Sequence, residues 1–88
     1  MVNEPSSRSE NYSVTALSWN QFGILAIATS NGKVFVWNSN TRDIKKVFTC
    51  DNEEQSWIWD VKWHPNGYQL AFSTMLGNVI VKYISQHQ

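Results

Sequence analysis

The sequence predicts an all-β protein of antiparallel strands, and three observations carry that prediction. Val, Ile, Phe, Trp and Thr gather in seven runs of six or seven residues each, the composition of a half-buried pleated surface. Turn-forming residues separate the runs, with Asn31-Gly32 and Asn66-Gly67 the clearest, because both residue types tolerate positive φ. The second half of the chain repeats the first with a period of about 44 residues. No segment reads as a helix.

Taken in order, VTALSW (14–19) forms the first run and turns through Asn20-Gln21-Phe22-Gly23. ILAIAT (24–29) follows and turns at Ser30-Asn31-Gly32, and KVFVWN (33–38) turns at Ser39-Asn40-Thr41. DIKKVFT (43–49) carries Lys45-Lys46, charges that suit an exposed outer strand and block edge pairing. The acidic loop 51–56 leads to WIWDVKW (57–63), which turns at His64-Pro65-Asn66-Gly67. YQLAFST (68–74) and NVIVKYI (78–84) flank a turn at Met75-Leu76-Gly77 and complete the set. Residues 1–11, rich in Ser, Asn and Glu, are expected to be a disordered tail, and 85–88 a short polar one.

The two halves align strand by strand. Trp19 meets Trp63 and Gly23 meets Gly67 at a spacing of 44; after one inserted residue, Leu25-Ala26 meets Leu70-Ala71 and Gly32 meets Gly77. Val34-Phe35-Val36 then meets Val79-Ile80-Val81. Such a period fits the four-stranded blade of a β-propeller. The expected architecture is an incomplete propeller of about two blades, with a complete first blade at 12–50 and a second, three-stranded one at 57–84. Stacked repeats of this kind generally need three or more units. Two blades leave apolar sheet faces bare, so the chain is expected to be a fragment, or to need further blades or another chain to cover them.

The pattern resembles the WD-repeat β-propellers. In that family a strand ends on Trp or Phe, a turn follows, then Leu-Ala, then a Gly turn and a closing Trp-Asp. Trp19, Gly23, Leu25-Ala26, Gly32 and Trp37-Asn38 stand at these places in the first repeat; Trp63, Gly67, Leu70-Ala71, Gly77 and Lys82-Tyr83 stand in the second. The literal Trp59-Asp60 is a decoy, because it falls on the innermost strand. The resemblance implies that Asn38 takes the place of an Asp that commonly joins a buried hydrogen-bond network. Tyr12, Trp19, Leu25-Ala26, Val34-Phe35-Val36-Trp37, Thr41 and Cys50-Asp51 are also similar in placement to the opening blade of the fizzy and fizzy-related family. Those proteins bring substrates to the anaphase-promoting ubiquitin ligase. The resemblance implies peptide degrons and a ligase complex as partners, with Ser18 at a position where that family places an acidic residue to receive a basic degron residue. The family's Arg-Tyr-Ile-Pro-like box and closing Ile-Arg dipeptide have no counterpart in these residues.

Composition narrows the function classes. Seven basic side chains balance seven acidic ones, which argues against a broad footprint for nucleic acid or an anionic membrane. The longest aliphatic run, ILAIA (24–28), is too short to span a bilayer, and no apolar signal segment opens the chain. One cysteine, Cys50, rules out an internal disulfide framework and fits a cytoplasmic or nuclear setting, where the sequon at Asn11-Tyr12-Ser13 is a chance match. Catalytic and metal-binding patterns are absent: His64 belongs to a turn, His87 to the tail, and neither pairs with Cys50. No cofactor and no enzyme activity are expected.

Trp57 and Trp59 are the surplus that the repeat does not require, since Ser13 and Thr15 stand at their places in the first half. Strict alternation puts Trp57, Trp59, Val61 and Trp63 on one side of their strand and Ile58, Asp60 and Lys62 on the other. Trp57 and Trp59 are the candidate partner anchors, with Asp51, Glu53 and Glu54 as a possible acidic complement to a basic peptide residue. Trp19, Trp37, Asn38, Trp63, Gly23, Gly67, Gly32 and Gly77 are structural repeat positions. The leading functional expectation is a protein-interaction module. The alternatives are a WD-repeat scaffold of another complex, such as intraflagellar transport, which EEQSWIWDVK resembles over a shorter stretch, and a tryptophan strip for sugars or single-stranded nucleic acid.

Overall fold

The computed structural model describes residues 12–50 and 57–85, so the acidic loop with Asp51, Glu53 and Glu54 and the outer tails lie outside the described residues. Seven strands run β1 (Val14–Trp19), β2 (Ile24–Thr29), β3 (Lys33–Asn38), β4 (Ile44–Thr49), β5 (Ile58–Trp63), β6 (Gln69–Thr74) and β7 (Val79–Tyr83). They form a four-stranded sheet in the order β1-β2-β3-β4 and a three-stranded sheet in the order β5-β6-β7, antiparallel throughout. Each strand therefore pairs with its neighbour in sequence, as tight Gly-containing turns dictate.

Alternation within the strands decides which face is buried. Ile24, Ala26 and Ala28 of β2 and Val34 and Val36 of β3 point toward the second sheet. There they join Ile58, Val61, Leu70, Phe72 and Ile84 in one core cluster, with Phe48 of β4 and Phe72 at 4.8 Å between ring centroids. Fully burying a side chain such as Phe72 or Leu70 contributes about 1.5–3 kcal/mol, so the two sheets hold each other through this layer.

Strict alternation fails on β5. Ile58 pairs with Thr74, but Asp60 pairs with Ser73, so Trp59 is an extra residue in a β-bulge. Beyond the bulge the parity shifts, and Val61 joins Ile58 in the core rather than the side of Trp57 and Trp59. The same bulge occurs on β1, where Val14 pairs with Thr29 and Ala16 with Ala28, leaving Thr15 as the extra residue. The repeat thus extends to an irregularity that apolar patterning does not reveal.

Polar contacts between equivalent turns fix the sheets end to end. Asn20 is buried; its Oδ1 accepts the backbone N–H groups of Phe22 and Ile24, both at 2.9 Å, and its Nδ2 donates to the Gly67 carbonyl at 3.0 Å. Gln21 Nε2 donates to the Pro65 carbonyl at 2.6 Å, and Trp63 Nε1 donates to the Ser18 carbonyl at 2.9 Å. The rings of Phe22 and Tyr68 meet at 5.2 Å. His64 caps the second turn as Asn20 caps the first, with Nδ1 accepting the Asn66 N–H at 3.0 Å.

Asn38 departs from the expectation of a buried network. Its Oδ1 accepts the N–H groups of Asn40 and Thr41 at 2.8 and 3.2 Å, so it is a half-buried local cap for the β3–β4 turn. A short amide followed by a free-standing turn favours this local bond over a distant partner.

Gly67 adopts φ +81° and a Cβ there would lie 2.5 Å from Phe22 and 2.8 Å from Gln21. Gly77 has φ +90° with open space around it. Both substitutions to Ala carry the left-handed penalty of about 1–2 kcal/mol, but only Gly67→Ala also forces the turn clasp apart. Urea unfolding is expected to show the larger loss for Gly67→Ala. By the same measurement Asn20→Ala is expected to cost about 2–4 kcal/mol, because it strands buried backbone groups, and the exposed Gln21→Ala less than about 1 kcal/mol.

Candidate functional site

The strand directions sort the chain into two ends. The turn clasp, the β3–β4 turn and the last residues of β7 lie at one. The other carries the β2–β3 and β6–β7 turns, the end of β4 and the start of β5. At this second end Trp57 and Trp59 stand clear of the core, 38% and 55% exposed, with ring centroids 6.0 Å apart and planes tilted by 43°. The bulge holds Trp59 outward, while Ile58 between the two rings is buried. The pair is therefore a surface feature placed by backbone geometry.

The β6–β7 turn adjoins it. The Met75 N–H donates to the Trp57 carbonyl at 2.7 Å, which ties this turn to the start of β5. Met75 and Leu76 are both exposed, so apolar side chains line the same end of the sheet. Sequence reasoning took Met75-Leu76-Gly77 only as a turn. The signal was present in the replacement of a usually polar turn pair, Ser30-Asn31 in the first repeat, by Met75-Leu76.

That replacement leaves a chemical trace. In the first sheet Thr29 Oγ1 donates to Asn31 Oδ1 at 2.5 Å and accepts the Lys33 N–H at 3.0 Å. In the second sheet Leu76 stands where Asn31 would, and Thr74 Oγ1 is buried without a hydrogen-bond partner. Thr74 and Leu76 face a cavity of about 290 Å³ shared with Phe48, Thr49, Asn78 and Ile80.

The remaining predicted residues lie elsewhere. Ser18 is half-buried on β1, and its carbonyl is engaged by Trp63 in the seam between sheets. It occupies the strand position equivalent to Lys62, three residues beyond that of Trp59, or about 10 Å along a strand. Trp63 packs against the core, Trp37 is half-buried, and Trp19 is 56% exposed, touching Trp37 edge-on at 6.2 Å. Gly23, Gly32, Gly67 and Gly77 all have positive φ. Among the described residues no group of three or more His, Cys, Asp or Glu side chains could hold a metal ion. No helix among them is long and apolar enough to cross a membrane.

Two antiparallel sheets that repeat one blade pattern, down to the bulge and the glycine turns, define a WD-repeat β-propeller segment, a class of protein-interaction module. Residues 5–38 match the family described as "WD domain, G-beta repeat". Residues 24–88 match that described as "Anaphase-promoting complex subunit 4 WD40 domain", and the chain belongs to this family. No curated protein sequence matches it significantly. Among solved structures it is similar to a chain in the crystal structure of the mitotic checkpoint complex, with a TM-score of 0.70 and 20% identity over 84% of this chain. It is also similar to the β-propeller domain of Cps50 (Swd1) from Myceliophteria thermophila, with a TM-score of 0.67 and 15% identity over 88% of this chain. The chain spans 26% and 25% of those two structures' chains. At such identity the likeness is one of fold.

Leu76→Asn is expected to restore the Thr74 cap. Thermal unfolding should show a gain of about 1 kcal/mol, the worth of one added hydrogen bond, and Leu76→Ala should show none.

Proposed function

We propose that the chain forms part of a WD-repeat interaction surface in an assembly of the anaphase-promoting ubiquitin ligase type, with Trp57 and Trp59 as anchors for a partner peptide. The observation that carries this reading is the outward-held tryptophan pair, tied through the Trp57 carbonyl to an apolar turn. Exposed tryptophans of this kind are enriched among residues that dominate binding energy. Membership of the subunit 4 family and the likeness to a chain of the mitotic checkpoint complex support the choice of assembly. Cytoplasmic or nuclear residence goes with this proposal.

In its narrower form, the chain takes part in substrate recruitment as the fizzy-type activators do. The tryptophan pair then holds an apolar degron residue, and Asp51, Glu53 and Glu54, just ahead of β5, receive a basic one. Ser18 is left out of this form because of its place in the seam. The family match to a subunit, rather than to an activator, favours a second form in which the same tryptophans dock a neighbouring protein and no degron is read.

Fluorescence anisotropy with labelled peptides that pair a basic with an apolar residue tests both. Trp59→Ala should weaken binding by about 2 kcal/mol while leaving unfolding unchanged. Equal affinity of the native and Trp59→Ala chains would sink the anchor. Charge reversal at Glu53 and Glu54 without effect would leave only the docking form.

A further inference from the structure

Two packed rings mark the floor of a cavity in the joint between the sheets. Phe48 of β4 and Phe72 of β6 meet there at 4.8 Å between centroids. Both strands run on toward the end that carries the β6–β7 turn, and alternate residues of a strand share a face. Thr74, two positions beyond Phe72, therefore points to the same side, where it is 3% exposed. Cys50, two positions beyond Phe48, continues the ladder of β4, its N–H donating to the Gly32 carbonyl at 2.8 Å. It keeps the side of Phe48 and is half-buried. Cys50 from one sheet and Thr74 from the other line the same cavity of about 290 Å³, many times the volume of one water. Leu76 and Ile80 add apolar lining. The cavity faces the joint within the chain and not an outer sheet face.

The two polar side chains differ in what they offer. Thr74 Oγ1 is a buried hydroxyl without a hydrogen-bond partner. Its equivalent, Thr29, gives its proton to Asn31, and Leu76 stands in the place of that asparagine. A donor held among apolar groups selects a ligand with an acceptor oxygen. Cysteine, as the thiolate, offers a nucleophile. We propose that Cys50 is a covalent modification site for small apolar α,β-unsaturated carbonyl compounds, with the Thr74 hydroxyl as donor to the carbonyl oxygen. In the addition the sulfur bonds to the β-carbon. The π pair of the carbon–carbon double bond shifts to give an enolate, and the proton released by the thiol ends on the α-carbon. The balance consumes no oxidant or reductant. Negative charge builds on the carbonyl oxygen as the carbon–sulfur bond forms, and a fixed donor out of water acts most strongly there. Leu76, Ile80 and the ring pair cover the alkyl part. The site rests neither on the Trp57–Trp59 surface nor on which blades adjoin the chain.

Intact-mass kinetics with trans-2-hexenal, followed by peptide mapping, tests the proposal. Methyl methanethiosulfonate, a thiol reagent without a carbonyl, serves as the control for access. The ratio of the hexenal rate to the control rate should be about tenfold higher for the folded chain than for the chain in urea, the effect of one hydrogen bond to a developing charge. Thr74→Val should remove that advantage and leave the control rate unchanged. Leu76→Asn keeps the hydroxyl but gives it an internal acceptor, as Asn31 does for Thr29, and should slow hexenal alone as well. It carries the test should Thr74→Val lose its β-sheet circular dichroism. Cys50→Ser should abolish the fast adduct. A folded ratio no higher than that in urea, or one that both variants leave unchanged, overturns the proposal, and the cavity then holds solvent only. Equal slowing of both reagents in the variants also overturns it, because access and not the donor would be at work. So does a fast adduct that maps to a residue other than Cys50.

Discussion

The side chain of Asn20 is the hinge on which the two sheets agree. A carboxamide offers an acceptor and a donor from the same planar group, and this one uses both in opposite directions. The acceptor closes its own turn and the donor reaches the backbone of the equivalent turn in the next blade. Aliphatic packing between sheets is non-directional and would tolerate sliding. A buried group whose hydrogen bonds span two turns tolerates none, because any displacement strands polar atoms away from water. Trp63 adds a second fixed point from the opposite blade, so the joint is defined by donors of both sheets.

The opposite end also differs between the blades, in residues that bear on exposed surface. The first blade keeps polar turn chemistry, with Thr29 capped by Asn31. The second gives it up for Met75 and Leu76 and places two tryptophans where the first has Ser13 and Thr15. These changes cost the second blade a satisfied hydroxyl at Thr74. An unsatisfied hydroxyl thus coincides with a gain of exposed aromatic surface at the same end of the sheet. The bulge does the aiming, since one extra residue turns Trp59 outward without disturbing the pairing on either side.

Much of this was legible in the residues. The seven strands fall within a residue of their expected limits because the turns are written in Gly, Asn and Pro, whose conformational preferences are local. The repeat was legible for the same reason. The parity of β5 was not: a bulge arises from pairing with a second strand, and nothing in WIWDVKW announces which residue will be extra. The double role of Asn20 was hidden likewise, since its partner lies 47 residues away. The local role of Asn38 was not legible, because an amide that serves a distant network and one that caps its own turn have the same spelling. Of the candidate site, the tryptophans were visible and the cavity between β4 and the β6–β7 turn was not, because it is made by strands from both blades.

The topology also carries a history of assembly. Every strand pairs with its sequence neighbour, so each sheet can zip from hairpins that close short loops and form early. The bonds joining the sheets bridge separations of 44 to 47 residues and can form only when both turns already exist. A newly made chain would therefore pass through a stage of two finished sheets not yet docked, with the core layer of both exposed. At that stage the sheets of one chain and those of its neighbour offer the same surfaces. What favours the correct pair is the linker between β4 and β5, which holds the two sheets of one chain at high effective concentration.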